Sequence, residues 1–223
     1  NPRISSAVVA ADNATIVVTM NEAVFNATGG SGALQANDFS LALSGGTATL
    51  GSSTPTSISA SGNVYTLGMN ISGTPNGFEH ITVNPVDNSI YDATNNEATT
   101  YQVMNQDYLT DKVGPTIGST AVGANNSNVV VTFSDPVFNT NGGSGALETS
   151  DFTFSLSGGS ATGAAIGSIS TSGASVTLGI TLTGVANGSE TLTVNIAANS
   201  VYDNYGNVAS TSQSNNTATL RDG

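Results

Sequence analysis

Fifteen acidic residues stand against three strong bases in this 223-residue chain, and ten of the acids recur in pairs. Glu22 pairs with Asp135, Asp38 with Asp151, Glu79 with Glu190, Asp92 with Asp203 and Asp111 with Asp222. Carboxylates gathered within a few ångströms repel one another, and Arg3, Lys112 and Arg221 are too few to neutralise them. A divalent cation relieves that repulsion. Calcium suits the donor set, since it accepts ~6–8 oxygens from carboxylates, amides, carbonyls and water in flexible geometry. Magnesium demands octahedral geometry and keeps its waters. Zinc calls for His or Cys, and the chain has only His80 and no cysteine. The candidate metal ligands are Glu22, Glu79, Asp92, Asn96, Asp107, Asp111, Asp135, Asp203 and Asn207.

A plainer reading stands beside this one. Asp and Asn in loops also form turns, and Asp38 and Asp151, each just before a Phe that opens a strand pattern, read as turn formers before ligands. Duplication alone could also preserve acids. Against that, the other five acids have changed between copies: Asp12 faces Asn125, Asp87 Ala198, Glu97 Val208, Asp107 Ala218 and Glu148 Gln35.

The elements that must position these residues are written twice. Pro2-Arg3-Ile4 returns 113 residues on as Pro115-Thr116-Ile117, and Val24-Phe25-Asn26 as Val137-Phe138-Asn139. After a two-residue deletion, Asn88-Ser89-Ile90-Tyr91-Asp92 returns 111 residues on as Asn199-Ser200-Val201-Tyr202-Asp203. The copies are assigned to 1–111 and 112–223, and Leu220-Arg221-Asp222-Gly223 echoes Leu109-Thr110-Asp111-Lys112 in the linker at 105–115, so a further copy is expected to follow.

Within each copy the apolar pattern has period two. Tyr65, Leu67, Met69 and Ile71 alternate with small or polar residues, as do Val176, Leu178, Ile180 and Leu182. Thr15–Met20 and Asn128–Phe133 are rich in β-branched residues. Turn signals such as Ser44-Gly45-Gly46, Ser61-Gly62-Asn63 and Pro75-Asn76-Gly77 separate the runs. In the first copy the strands are expected near 4–10, 14–20, 38–43, 46–50, 56–60, 63–71, 79–84 and 98–105. The fold class is therefore all-β: two tandem immunoglobulin-like antiparallel β-sandwiches of about seven strands each. In such a sandwich the loops of Glu22 or Asp135 and of Asp92 or Asp203 share the pole where the chain enters. Asp111, Asp135 and Asp203 are expected to meet at the junction, with Glu79 approaching from the other side. Tyr91 and Tyr202 are expected as buried anchors.

Composition narrows the function. A net charge of −12 offers no basic footprint for nucleic acid, and it disfavours anionic membrane surfaces. No apolar run reaches the ~20 residues of a membrane span. His80 faces Thr191 in the second copy, so this lone, unrepeated histidine reads as a surface or packing residue and not a general base, and no Gly-x-Ser-x-Gly elbow is present. Gly29-Gly30-Ser31-Gly32 lacks the Lys-Ser/Thr of a phosphate loop. The expectation is a protein that is not an enzyme.

The run Thr132-Phe133-Ser134-Asp135-Pro136-Val137, followed far downstream by Asp203-Asn204-Tyr205-Gly206-Asn207, resembles the bacterial immunoglobulin-like repeats of large surface adhesins. Those repeats commonly read Phe-Ser-Glu-Pro-Val early and Asp-x-x-Gly-Asn late. The first copy matches with Asn21-Glu22-Ala23-Val24 and Asp92-Ala93-Thr94-Asn95-Asn96, without the glycine. The resemblance implies a secreted, cell-surface stalk or filament of many repeats, rigidified by calcium at its linkers. It is similar in logic to cadherins, where linker, second-loop and late-loop acids share ions; Asp111, Asp135 and Asp203 would take those roles. The implied partners are neighbouring repeats, other copies in a fibre, or a surface glycan or protein. The alternative is a glycan- or protein-binding module using Asn204, Tyr205 and the Gly-rich loop.

Overall fold

The computed structural model describes residues 1–223, which divide into two units, Asn1–Val113 and Gly114–Gly223. Unit 1 contains β1 (Ile4–Val9), β2 (Thr15–Met20), β3 (Phe39–Ser44), β4 (Thr49–Leu50), β5 (Ile58–Ser61), β6 (Val64–Gly68), β7 (Ile71–Ser72), β8 (His80–Pro85) and β9 (Gln106–Tyr108). Unit 2 contains β10 (Ile117–Val122), β11 (Asn128–Phe133), β12 (Phe152–Ser157), β13 (Gly163–Ser172), β14 (Ser175–Thr183), β15 (Thr191–Ile196) and β16 (Thr217–Thr219). Helical structure is limited to single 3₁₀ turns at Ala36–Asp38 and Thr149–Asp151. No helix is long and apolar enough to cross a membrane.

All pairings are antiparallel. Unit 1 has one sheet ordered β1-β2-β6-β5 and another ordered β3-β8-β9; unit 2 repeats this as β10-β11-β14-β13 and β12-β15-β16. In order of strands along the chain, this is the arrangement of a constant-type immunoglobulin sandwich. The period-two pattern explains the core. β2 buries Ile16, Val18 and Met20 on one face, and β8 buries Ile81, Val83 and Pro85 on the face opposing it. Phe39 on β3 and Tyr65 on β6 bridge the sheets with ring centroids 6.0 Å apart, and Phe133 and Phe152 do so in unit 2 at 6.4 Å. Each such side chain, buried, contributes about 1.5–3 kcal/mol.

The two-residue length difference falls in one hairpin. In unit 2, β13 and β14 run together over nine paired positions, with one register shift between Ile166 and Ser168. In unit 1 the same hairpin is split into β5–β6 and the short β4–β7. The intervening segment carries buried Pro55, which has no N–H to offer a ladder, and Ser53 O instead accepts Leu41 N at 2.7 Å.

Two strand expectations and one burial expectation need correction. The final strand of unit 1 lies at Gln106–Tyr108, not 98–105. The β-branched and aromatic composition of Thr99–Met104 imitates a strand, but Gln102 anchors it as a loop by accepting Ile4 N at 2.8 Å and donating to Thr99 O at 2.7 Å. The expected strand at 46–50 shrinks to Thr49–Leu50, because Gly45 and Gly46 take left-handed backbone at φ 77° and 60°. Tyr91 and Tyr202 are half-buried, each in an isolated bridge with Phe25 or Phe138.

Candidate functional site

The repeated acids divide by place. Phe25 and Tyr91 exchange backbone hydrogen bonds at 2.8 Å in each direction, which sets the Glu22 loop beside the Asp92 loop at one pole of unit 1. Phe138 and Tyr202 do the same for Asp135 and Asp203 in unit 2. Glu79 and Asp111 occupy the opposite pole of unit 1, tied by Leu109 N to Glu79 O at 3.0 Å and Lys112 N to Pro75 O at 2.8 Å. Asp107 lies apart on β9, where Oδ2 accepts Val9 N at 2.8 Å. Within neither unit do three or more carboxylate or histidine side chains gather as a metal-binding group.

Glu79 is fully buried, at 0% exposure. The Asn76-Gly77-Phe78 turn, with Gly77 at φ 77°, swings it inward just before β8. Its Oε1 accepts Thr47 N at 2.7 Å and Ala48 N at 2.9 Å, and its Oε2 accepts Asn76 N at 2.9 Å. One carboxylate thus joins two loops. Gly46 is required beside it, since a Cβ there would sit 2.1 Å from the Glu79 carboxyl carbon. Glu190 repeats the arrangement with Ser160 N at 2.7 Å, Ala161 N at 3.0 Å and Asn187 N at 3.1 Å. The Ala161 N–H leads the backbone donors that, against the pull of burial, hold the Glu190 carboxyl at about 2, below its ordinary 4.5. Burial pushes Glu79 up, but the Ala48, Thr47 and Asn76 donors outweigh it and leave its pKa lowered.

Asp92 closes its own loop. Its Oδ1 accepts Thr94 N at 2.8 Å, Thr94 Oγ1 at 2.9 Å and Asn96 N at 2.8 Å; its Oδ2 accepts Asn96 Nδ2 at 2.7 Å. The Asn96 amide is the main cause that holds Asp92 down at about 2. Asp203 Oδ1 accepts Tyr205 N at 2.8 Å and Asn207 N at 2.9 Å, and Asn207 Nδ2 donates to its Oδ2 at 2.8 Å. Asn96 and Asn207, expected as oxygen ligands, thus turn their amide nitrogens toward the aspartates.

Asp111 Oδ1 accepts Val113 N at 2.8 Å, two residues on. Glu22 and Asp135 are only partly buried and bond adjacent side chains, Asn21 Nδ2 at 3.3 Å and Ser134 Oγ at 2.6 Å. Asp38 and Asp151 are turn formers: each accepts the N–H of the residue three before it, Gln35 or Glu148, at 2.7 Å. Burial raises both of their pKa values. The Gly-rich loop of unit 2 packs on Asn204, where a Cβ on Gly143 would lie 2.6 Å from Asn204 O.

Sequence reasoning missed a second set of repeated fasteners, all amides. Asn13 and Thr110 exchange two hydrogen bonds of 2.8 Å across 97 residues, and Asn126 and Arg221 repeat them. Gln102 and Gln213 accept Ile4 N and Ile117 N; Asn105 and Asn216 donate to Val83 O and Val194 O. Their recurrence at the repeat offsets was the signal available. At Asp12 and Asn125 the charge changes while the turn stays, since both accept the N–H two residues on.

No protein-family model matches this chain, and no curated protein matches it. Among solved structures, the N-terminal part of the bacterial S-layer protein SbsC is similar over 90% of this chain and 42% of that one, at 16% identity and a TM-score of 0.37. The chain therefore spans less than half the length of that structure.

Proposed function

We propose that the two units are non-catalytic structural modules of an extracellular bacterial surface protein, serving as lengths of a stalk or filament. The observation that carries this is the recurrence of the fasteners. Duplication has kept the clamps at Glu79/Glu190, Asp92/Asp203, Asn13/Asn126 and Gln102/Gln213, while exposed positions such as Thr94 and Tyr205 have diverged. What is repeated is a scaffold. The resemblance to adhesin repeats supports the same reading.

Calcium uptake belongs to this proposal, at the pole carrying Glu22 and Asp92 and at its counterpart with Asp135 and Asp203. Glu22 and Asp135 have oxygens open to solvent there. These two are the oxygens offered to an ion, since Asp92 already accepts four hydrogen bonds, the full set for a carboxylate, and Asp203 is fully buried and accepts three. At affinities of ~10⁻⁴–10⁻³ M, such sites fill in extracellular fluids and empty in chelator.

Stretching single molecules tests the structural role. Two unfolding steps of roughly 35–40 nm are expected, one for each unit of about 110 residues. Units that unravel without a resolvable force peak would contradict a stalk. Calcium is tested separately by melting with calcium and with EDTA: the melting temperature should fall on chelation, and less so in a Glu22→Ala/Asp135→Ala variant. Identical curves would remove calcium from the account and leave the scaffold reading intact.

A further inference from the structure

We infer that the outer face of the β3-β8-β9 sheet in unit 1 is a binding surface for a neutral oligosaccharide, a function beyond the structural role proposed above. A groove of about 570 Å³ lies at the upper end of this face, lined by Thr82, Asn84, Tyr101, Gln102, Val103 and Gln106, among others. On β8, His80, Thr82 and Asn84 point outward together, because Ile81, Val83 and Pro85 point into the core. His80 pairs with Tyr108 and Thr82 with Gln106, so the outward row continues onto β9. The His80 and Tyr108 rings pack against each other with centroids 4.6 Å apart and planes tilted by 33°, which forms an aromatic platform at the other end of the row. Four residue steps along β8 separate the platform from Asn84, a track of about 13 Å.

The lining chemistry names the occupant. Sugars present hydroxyls at their edges and weakly apolar C–H faces, so they are held by amide and hydroxyl groups alongside exposed aromatic rings. Gln102 and Asn105 are engaged in holding the walls, through Ile4 N, Thr99 O, Val83 O and Asn84 Oδ1. That leaves the Thr82 hydroxyl, the Gln106 amide and the Asn84 Nδ2 for a ligand. Tyr101 is 81% exposed and Tyr108 60%, so both rings are available to solvent. No charged side chain lines the groove, and the chain's net charge of −12 repels anionic polymers. A neutral glycan meets both conditions.

The second unit provides the internal control. At the equivalent positions it carries Thr191 for His80, Ser212 for Tyr101, Ser214 for Val103, Asn215 for Met104, Thr217 for Gln106 and Thr219 for Tyr108. The aromatic and apolar groups are confined to unit 1, although both units share the sheet and its fasteners. The fold therefore does not require them.

The test is titration of the isotope-labelled 223-residue chain with cellohexaose, chitohexaose, maltohexaose and mannohexaose, with hexagalacturonate as the anionic comparison, read by amide chemical shifts. The expected result is millimolar or tighter binding of at least one neutral hexasaccharide, with shifts centred on Thr82, Tyr101, Gln106 and Tyr108. Tyr101→Ala and Tyr108→Ala should each weaken it by roughly tenfold at unchanged melting temperature. Four results overturn the inference: no neutral sugar bound at millimolar concentration, shifts confined to unit 2, binding indifferent to both variants, or preference for hexagalacturonate. Concentration-dependent shifts at the same residues without sugar would also overturn it, by assigning the face to a second copy of this chain.

Discussion

Replacing Glu79 by alanine should destabilise unit 1 far more than an ordinary surface change, for a reason that can be worked from the hydrogen bonds. Its carboxylate serves three backbone N–H groups at 2.7–2.9 Å, from Thr47, Ala48 and Asn76, in a site with no solvent exposure of the side chain. Leaving each donor to whatever water reaches it costs about 1 kcal/mol, near the lower end for an orphaned buried group, giving about 3 kcal/mol in total. For a unit of this length that corresponds to a fall of roughly 12 °C in melting temperature. Glu79→Gln keeps the Oε1 acceptor but sets an amide N–H₂ against Asn76 N, so it should cost about half as much. The assay is differential scanning calorimetry of the whole chain, in which unit 2 reports as an unchanged reference. The gap also has a pH signature. Because the folded pKa of Glu79 is lowered, its contribution is present above the ordinary 4.5 and is lost as pH falls below that value toward the folded one. The variant and the parent should therefore converge in acid. A drop of less than about 4 °C at neutral pH, or a gap that does not narrow below pH 4.5, would refute the clamp.

Three further substitutions probe the same construction. Asn13→Gly keeps the left-handed backbone at φ 61° but deletes both bonds to Thr110, and chemical denaturation should show a loss of about 2 kcal/mol. Gly159→Ala would place a Cβ 2.0 Å from the pinned Glu190 carboxyl carbon at φ 65°, so its melting temperature should fall well beyond the change of a surface Gly173→Ala control, whose Cβ meets nothing within 4 Å. Phe152→Ala removes a core side chain that is 2% exposed and should cost about 3–5 kcal/mol by urea titration, without changing unit 1.

The sandwich was legible because burial writes itself into side-chain type. The alternation Ile16, Val18, Met20 and its echo at Val129, Val131 and Phe133 mark one buried face, and the structure buries all six. The role of the acids was not legible in the same way. Spacing showed that Glu79 and Glu190 recur, but their partners are backbone N–H groups, which nearly every residue carries and no residue type announces. The readable signs were indirect: Gly45-Gly46 and Gly158-Gly159, and Asn-Gly-x-Glu at 76–79 and 187–190, all of which recur. The Asp92 and Asp203 loops were ambiguous in a different way. An Asp with an Asn four residues on suits an oxygen cage and a self-closing turn equally well, and only the amide direction separates them.

The central claim is that the clamp carboxylates of Glu79, Glu190 and Asp92 remain ionised because the protein's own N–H groups hold them. Carboxyl ¹³C titration of Glu190 and Asp92 tests it most directly. Both should titrate at about 2, well below 4.5 and 3.8, while Asp38 and Asp151 titrate above 3.8. The lowered pair then supports the fold above the ordinary values and withdraws that support as pH falls to about 2; the raised pair gains protons in folding and offsets part of the loss. Titration of Glu190 and Asp92 at the ordinary 4.5 and 3.8 would contradict the account.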